Sequence, residues 1–126
     1  MKKTITLILI LLAVSLQAKS GIKFDKYIHD FGDVPQSVIV VAKFTFRNTG
    51  NSVLVIERIR TSCGCTSTML SKKELNPGES GILEISFDTE GYSGSITRAI
   101  TVYTNSPARK EVKLKIKANV TEVGDK

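Results

Sequence analysis

An antiparallel β-sandwich of immunoglobulin-like type, built from about seven strands, is the fold predicted for this chain. Three observations predict it. Beyond residue 20, apolar and polar residues alternate with a period of two through most of the chain. Turn sequences rich in Asn, Pro and Gly interrupt these runs at regular spacing, and no segment carries a sustained helical stripe. Once an N-terminal apolar run is set aside, about 100 residues remain, the size of one such domain.

The first element is a targeting segment. Lys2 and Lys3 form a positive start, residues 5–16 are almost unbroken apolar, and the small residues Ala18 and Ser20 offer cleavage after either one. Residues 1–18 are therefore expected to be a signal peptide and 19–126 the immunoglobulin-like domain. An uncleaved anchor is the weaker reading, because the run falls short of the roughly 20 residues that cross a bilayer. No cysteine follows the run, so lipid modification is not supported, and the mature chain is expected to lack a transmembrane segment. The expected location is periplasmic or secreted.

The strands follow in order. In residues 40–47, Val40, Ala42, Phe44 and Phe46 alternate with Val41, Lys43, Thr45 and Arg47. Asn48-Thr49-Gly50-Asn51 ends that strand, and residues 53–59 make the next. Asn76-Pro77-Gly78-Glu79 is a turn in which proline presets φ and glycine supplies a positive one. Behind it, Leu83, Ile85 and Phe87 oppose Glu84, Ser86 and Asp88. Residues 90–94 and Asn105-Ser106-Pro107 flank a β-branched run, residues 95–104, with Ile96, Ile100 and Val102 on one face. Last, Val112, Leu114, Ile116, Ala118 and Val120 alternate with Lys113, Lys115, Lys117, Asn119 and Thr121. These lysines suit a solvated face or an exposed sheet edge, where charge discourages pairing with another chain.

The formal net charge is +6, and two of the positive residues lie in the expected signal. Arg109, Lys110, Lys113, Lys115 and Lys117 form a local basic cluster. Tyr27, Tyr92 and Tyr103 do not interleave with it in a nucleic-acid pattern, so no nucleic acid is expected as partner. The Cys and Trp framework of antibody domains is absent: there is no Trp, and the two cysteines are too close in sequence to bridge two sheets.

Phe31-Gly32-Asp33-Val34, Phe44-Thr45-Phe46-Arg47-Asn48-Thr49-Gly50, Ser62-Cys63-Gly64-Cys65-Thr66, Asn76-Pro77-Gly78 and Thr104-Asn105-Ser106 succeed one another along the chain. This ordered set resembles a bacterial secreted family of unknown function with a Cys-Gly-Cys-Thr signature, similar to hydin-like and major-sperm-protein-like immunoglobulin folds. The resemblance spans essentially the whole mature chain. It implies the fold and export, and no activity.

Cys63 and Cys65 are the candidate site. In a flat strand, residues two apart lie roughly 6.6 Å apart, near the upper limit of about 6.8 Å for a bridged pair. Gly64 is expected to let the backbone fold tightly enough for a small-ring disulfide, which strain would make easy to reduce. Reactive thiols are a second reading, although thiol oxidoreductases usually place Cys-x-x-Cys at a helix N-terminus and no helix signal follows here. Two thiolates also suit Cu(I) or Zn(II), but two ligands do not complete a tetrahedral site, which makes His29 and Met69 the candidate third ligands. His29-Asp30 beside Asp33 reads as a surface or structural group, no serine comes with a nucleophile elbow, and no phosphate loop is present. Asn119-Val120-Thr121 matches a glycosylation sequon by accident of a strand sequence. The expected function is a non-catalytic, cofactor-free module that binds a protein or envelope component through a sheet edge or loops. The alternative is thiol redox or copper or zinc handling through Cys63 and Cys65.

Overall fold

The computed structural model describes residues 19–122; the expected signal, residues 1–18, lies outside the described residues. Nine strands succeed one another: β1 (Lys23–Phe24), β2 (Ile28–Pro35), β3 (Ile39–Arg47), β4 (Leu54–Thr61), β5 (Thr66–Leu70), β6 (Glu74–Leu75), β7 (Ser80–Asp88), β8 (Gly94–Thr104) and β9 (Glu111–Thr121). β1 and β6 have two residues each, so the longer strands match the expected number. They form a four-stranded sheet, β1-β3-β7-β5, and a five-stranded sheet, β2-β9-β8-β4-β6. The arrangement is an immunoglobulin-like sandwich. Among the described residues no helix is long and apolar enough to cross a membrane.

The period-two pattern places the core. Ala42, Phe44 and Phe46 of β3 and Leu83, Ile85 and Phe87 of β7 are buried, and they face Ile100 and Val102 of β8 and Val112, Leu114, Ile116 and Val120 of β9. β4 keeps the pattern only in its first half. Leu54 and Ile56 are buried, then the register shifts between Ile56 and Arg58, and it is Ile59 that packs against the core. This bulge reverses the phase, which simple alternation does not anticipate.

Two features depart from the sequence reading. β9 is not a sheet edge: it lies between β2 and β8, and its lysines stand on the outer face of the sheet. A lysine-alternating strand reads the same at an edge as in a sheet with one wet face, so composition alone does not distinguish them. In addition, β2 pairs with β9 in parallel, Ile28 opposite Lys115 and Val34 opposite Val120, whereas the other pairings are antiparallel.

Asn48, at the end of β3, is 1% exposed and joins four segments. Its Nδ2 donates to the carbonyls of Ser52 (2.7 Å) and Leu75 (3.0 Å), and its Oδ1 accepts from Gly50 N (2.9 Å) and Gly21 N (3.3 Å). Its backbone bonds the β6–β7 turn through the Glu79 C=O and Gly78 N–H groups: Asn48 N donates to Glu79 O (3.0 Å), and Gly78 N donates to Asn48 O (2.9 Å). That turn closes as predicted, with Glu79 N on Asn76 O at 3.0 Å and Gly78 at φ 84°. The amide of Asn76 also donates to the Glu79 carboxylate (2.7 Å), which, helped by Lys72 at 3.5 Å, holds that carboxyl below its ordinary range.

The same motif receives the N-terminal segment. Gly50 is packed so closely against it that a Cβ there would lie 2.6 Å from Gly21 N. On the other side, Ser20 is buried, donates to Asn105 Oδ1 (3.1 Å), and accepts at its carbonyl from Ser106 Oγ (3.0 Å). Asn105 Oδ1 accepts from Val55 N (2.9 Å), and its Nδ2 donates to Val53 O (3.1 Å). The Asn-Thr-Gly and Thr-Asn-Ser signatures are thus the two halves of one polar clamp.

Replacing Asn48 removes the partners of one buried and three part-buried backbone groups. Asn48→Ala is expected to cost about 3 kcal/mol. Asn48→Asp keeps the acceptor but loses both donors, and it should also lower the midpoint of urea unfolding; a variant as stable as the wild type would refute the role given to this side chain.

Candidate functional site

The Cys-Gly-Cys segment is the corner where the chain leaves the five-stranded sheet at Thr61 and enters the four-stranded sheet at Thr66. Hydrogen bonds fix both sides of it. Ser62 N donates to Ala99 O (3.0 Å), and Ala99 N donates to Ser62 Oγ (3.1 Å), which ties the corner to β8. Asp88 N donates to Cys65 O (3.0 Å), which ties it to β7. Within the corner the Cys63 carbonyl accepts from Thr61 Oγ1 (3.1 Å) and Thr66 N (3.4 Å).

These bonds bring the Cα atoms of Cys63 and Cys65 to 5.4 Å, with the two sulfurs at bonding separation. Gly64 lies in the turn between them; its φ is not positive, and nothing lies within 4 Å of where a Cβ would stand. The contraction from strand spacing accompanies this turn, and the absent side chain leaves open space beside it.

Sequence reasoning missed Arg98. On β8 it pairs with the buried Ile116 and so belongs to the inward row of Ile96, Ile100 and Val102. An arginine in phase with a core row was the available signal. It is half-buried at the end of the sandwich; its Nε donates to Cys63 Sγ (3.3 Å), Nη1 donates to the carbonyl of Thr97 (2.9 Å), and its guanidinium carbon lies 5.3 Å from the Tyr92 ring centroid. Tyr92 is itself packed on Phe87 at 5.6 Å. Among the described residues the one ion pair joins Lys72 and Glu79, so no carboxylate lies within ion-pair distance of Arg98. Cys63 Sγ also accepts from Cys65 N (3.3 Å) and lies 3.8 Å from Thr66 Oγ1, whereas Cys65 Sγ has only Thr66 Oγ1, at 3.7 Å.

Cys65 borders a hollow of about 730 Å³, whose walls include Ile39, Gly64, Asp88, Glu90 and Tyr92. Cys63 does not border it. Neither candidate third ligand joins the sulfurs: the His29 ring rests on Phe31 (4.7 Å) and Phe44 (6.4 Å), and Met69 projects from the outer face of β5, 69% exposed. His29 is held below its ordinary value near 6.5 by burial first and by Lys26 second, with Asp30 opposing; Lys26 Nζ lies 2.9 Å from its Nδ1. No cluster of three or more His, Cys, Asp or Glu side chains suited to a metal occurs among the described residues.

Two surfaces flank this corner. On the outer face of the five-stranded sheet, Lys113 pairs with Thr101 and Thr101 with Arg60, so the basic cluster extends across β8 to Arg60 and Arg58. The tyrosines carry arginines: Arg109 donates to the Tyr27 hydroxyl (3.0 Å), and the Arg58 guanidinium carbon lies 4.3 Å from the Tyr103 ring centroid. On the outer face of the four-stranded sheet, Ile39, Val41, Ile82 and Met69 are exposed around the Lys43, Glu84 and Ser86 positions.

Comparison with solved structures finds this sandwich elsewhere. A protein of unknown function from Porphyromonas gingivalis W83 superposes with a TM-score of 0.73 at 23% identity over 85% of this chain and 50% of its own. The ASH/PapD-like domain 7 of human CEP192 superposes with a TM-score of 0.67 at 8% identity, over 89% of this chain and 93% of that one. The VesB protease of Vibrio cholerae gives 0.67 at 18% identity, over 78% of this chain and 31% of its own. The chain thus spans half the length of the Porphyromonas protein and about a third of VesB, and these likenesses establish the fold alone. No curated protein matches the chain. Residues 22–120 match one family over nearly the whole described domain, and the chain belongs to that family, described as a protein of unknown function (DUF1573).

Proposed function

We propose that the chain is a non-catalytic interaction module of the cell envelope that accepts an extended segment of another envelope protein along the open side of β5. The contrast between the border strands carries this reading. β1 and β6 have two residues each. β2 is long but broken: its register shifts between Asp30 and Asp33, Gly32 sits at φ 72° with its amide on Asp30 Oδ1 (2.8 Å), and Pro35 ends it. Such features block pairing with a further strand. β5, Thr66-Ser67-Thr68-Met69-Leu70, has no charge, no proline and no bulge.

Its hydrogen-bonding direction follows from the ladder. Cys65 bonds Asp88, and Ser71 bonds Ile82, so the intervening odd-numbered residues face β7. Thr68 and Leu70 then direct their backbone groups to the open side. Main-chain bonds there would supply affinity, and exposed Met69 with Ile82 would receive alternate side chains of the incoming segment.

Export belongs to the same proposal. Lys2, Lys3 and the apolar residues 5–16 support it, and the burial of Ser20 supports cleavage after Ala18, since cleavage after Ser20 would remove a residue of the polar clamp. Metal handling is the poorer reading, because His29 and Met69 stand away from the sulfurs. The guanidinium on Cys63 favours the alternative reading, a stoichiometric thiol exchange that the interaction reading neither needs nor forbids.

Two measurements follow. With a photo-crosslinking residue at Met69, intact cells should yield a discrete adduct with one envelope protein. Thr68→Pro should abolish that adduct while shifting the melting temperature by less than about 4 °C, which corresponds to under 1 kcal/mol; an adduct that survives the proline, or none at all, overturns the edge mechanism. Intact mass of the chain recovered from the envelope should correspond to residues 19–126, and an N-terminus at Gly21 would contradict the clamp.

A further inference from the structure

The two sulfurs of the corner are chemically unequal, and the inequality has a direction. Cys63 Sγ is surrounded by donors: Arg98 Nε at 3.3 Å, Cys65 N at 3.3 Å and the Thr66 hydroxyl at 3.8 Å. Cys65 Sγ has the hydroxyl alone; the residue is half-buried like Cys63 and packs against the core on one side, but it and not Cys63 forms part of the wall of the open hollow. In thiol–disulfide exchange the sulfur that better bears negative charge departs, and the accessible sulfur is attacked. A cation beside a cysteine favours its thiolate. Here the cation is half-buried and no carboxylate among the described residues lies within ion-pair distance of it, so none competes with an anion on Cys63 for the guanidinium.

We propose that Cys63–Cys65 is a thiol-exchange site of fixed polarity. An incoming thiolate enters the hollow and attacks Cys65 Sγ; the carrier–Cys65 bond forms, the Cys63–Cys65 bond breaks, and its electron pair leaves on Cys63 as a thiolate against Arg98. The product is a mixed disulfide on Cys65. A second thiolate attacking the carrier sulfur releases the oxidised carrier as its disulfide and leaves Cys65 reduced, so the cysteine pair gains two electrons and two carrier thiols lose them. In reverse, the Cys63 thiolate attacks Cys65 Sγ and expels the carrier.

The walls of the hollow also select the carrier. Asp88 and Glu90 place negative charge at its rim, with Ile39 and Tyr92 as apolar surface. The thiol that fits is neutral or cationic, such as a cysteine flanked by basic residues, and an anionic thiol is repelled. Tyr92 and Thr97 act as positioning groups: the ring and the carbonyl hold the guanidinium on Cys63. This activity is independent of strand pairing at β5, and either can fail without the other.

The test uses the full mature chain in its oxidised form, reacted with cysteamine, quenched early in acid, alkylated and mapped by fragment mass spectrometry. The cysteamine adduct should sit on Cys65 with the alkyl group on Cys63. Arg98→Met should slow the reaction roughly three- to tenfold, the effect of losing a nearby opposite charge from a leaving thiolate, while Arg98→Lys stays within about twofold. The rate ratio of cysteamine to 3-mercaptopropionate should fall in Glu90→Gln. Adducts on Cys63 or spread over both sulfurs, an unslowed Arg98→Met, or a chain isolated without reductant that already carries two alkylatable thiols each overturn the proposal. If Arg98→Met does not fold, the position of the adduct on the wild-type chain decides.

Discussion

A single buried carboxamide holds the sandwich together at one end. Asn48 closes β3, and in doing so it must satisfy two donors and two acceptor sites without water. Their partners come from the N-terminal segment, the turn after β3, and the end of β6, while its backbone bonds the turn into β7. Loss of any one partner leaves a polar group buried and unpaired, which is more costly than the bond is favourable. The geometry of that end of the domain is therefore set jointly, and the two sheets inherit it. The Cys-Gly-Cys corner has its own connections, through Ala99 to β8 and through Asp88 to β7.

Most of the layered architecture was legible because a pleated strand with one wet face writes itself as alternation. β3, β7 and β9 follow that pattern residue for residue. β4 does not, because its bulge is a two-to-one pairing that leaves no mark in hydrophobicity. β5 escaped notice for a different reason: Thr-Ser-Thr-Met-Leu at a border buries only Thr66 fully, so it carries no apolar alternation to read. The neighbours of a strand are also silent in sequence, since pairing partners are set by topology; hence the lysines of β9 were compatible with an edge they do not occupy. The cysteines were obvious, whereas the group that differentiates them was not. Arg98 became visible only when its place in an inward row met the corner approaching from the other sheet.

The two outer faces differ in character. One carries lysines and arginines across β9, β8 and β4, with Arg58 resting on Tyr103 and, near the end of the same sheet, Arg109 on Tyr27. The other exposes Ile39, Val41, Ile82 and Met69 among mixed charges and ends at the hollow beside Cys65. Each tyrosine supports a guanidinium, and in each case the ring restricts a long side chain that would otherwise sample many rotamers. For Arg98 this restriction is what converts a nearby charge into a directed contact with one sulfur and not the other.

The parallel pairing of β2 with β9 has a consequence for how the chain acquires its structure. The four-stranded sheet draws only on residues up to Asp88, whereas the five-stranded sheet needs β8 and β9 at its centre. A chain that emerges N-terminus first can thus assemble one layer while the apolar face of Phe44, Phe46, Leu83, Ile85 and Phe87 still lacks its cover. β2 must wait longest, because among the described residues its ladder partner is β9, the last of the nine strands. Completion of this domain therefore waits on β9: β4, β6 and β8 can pair beforehand, but until β9 is in place the five-stranded sheet lacks the strand that joins β8 to β2.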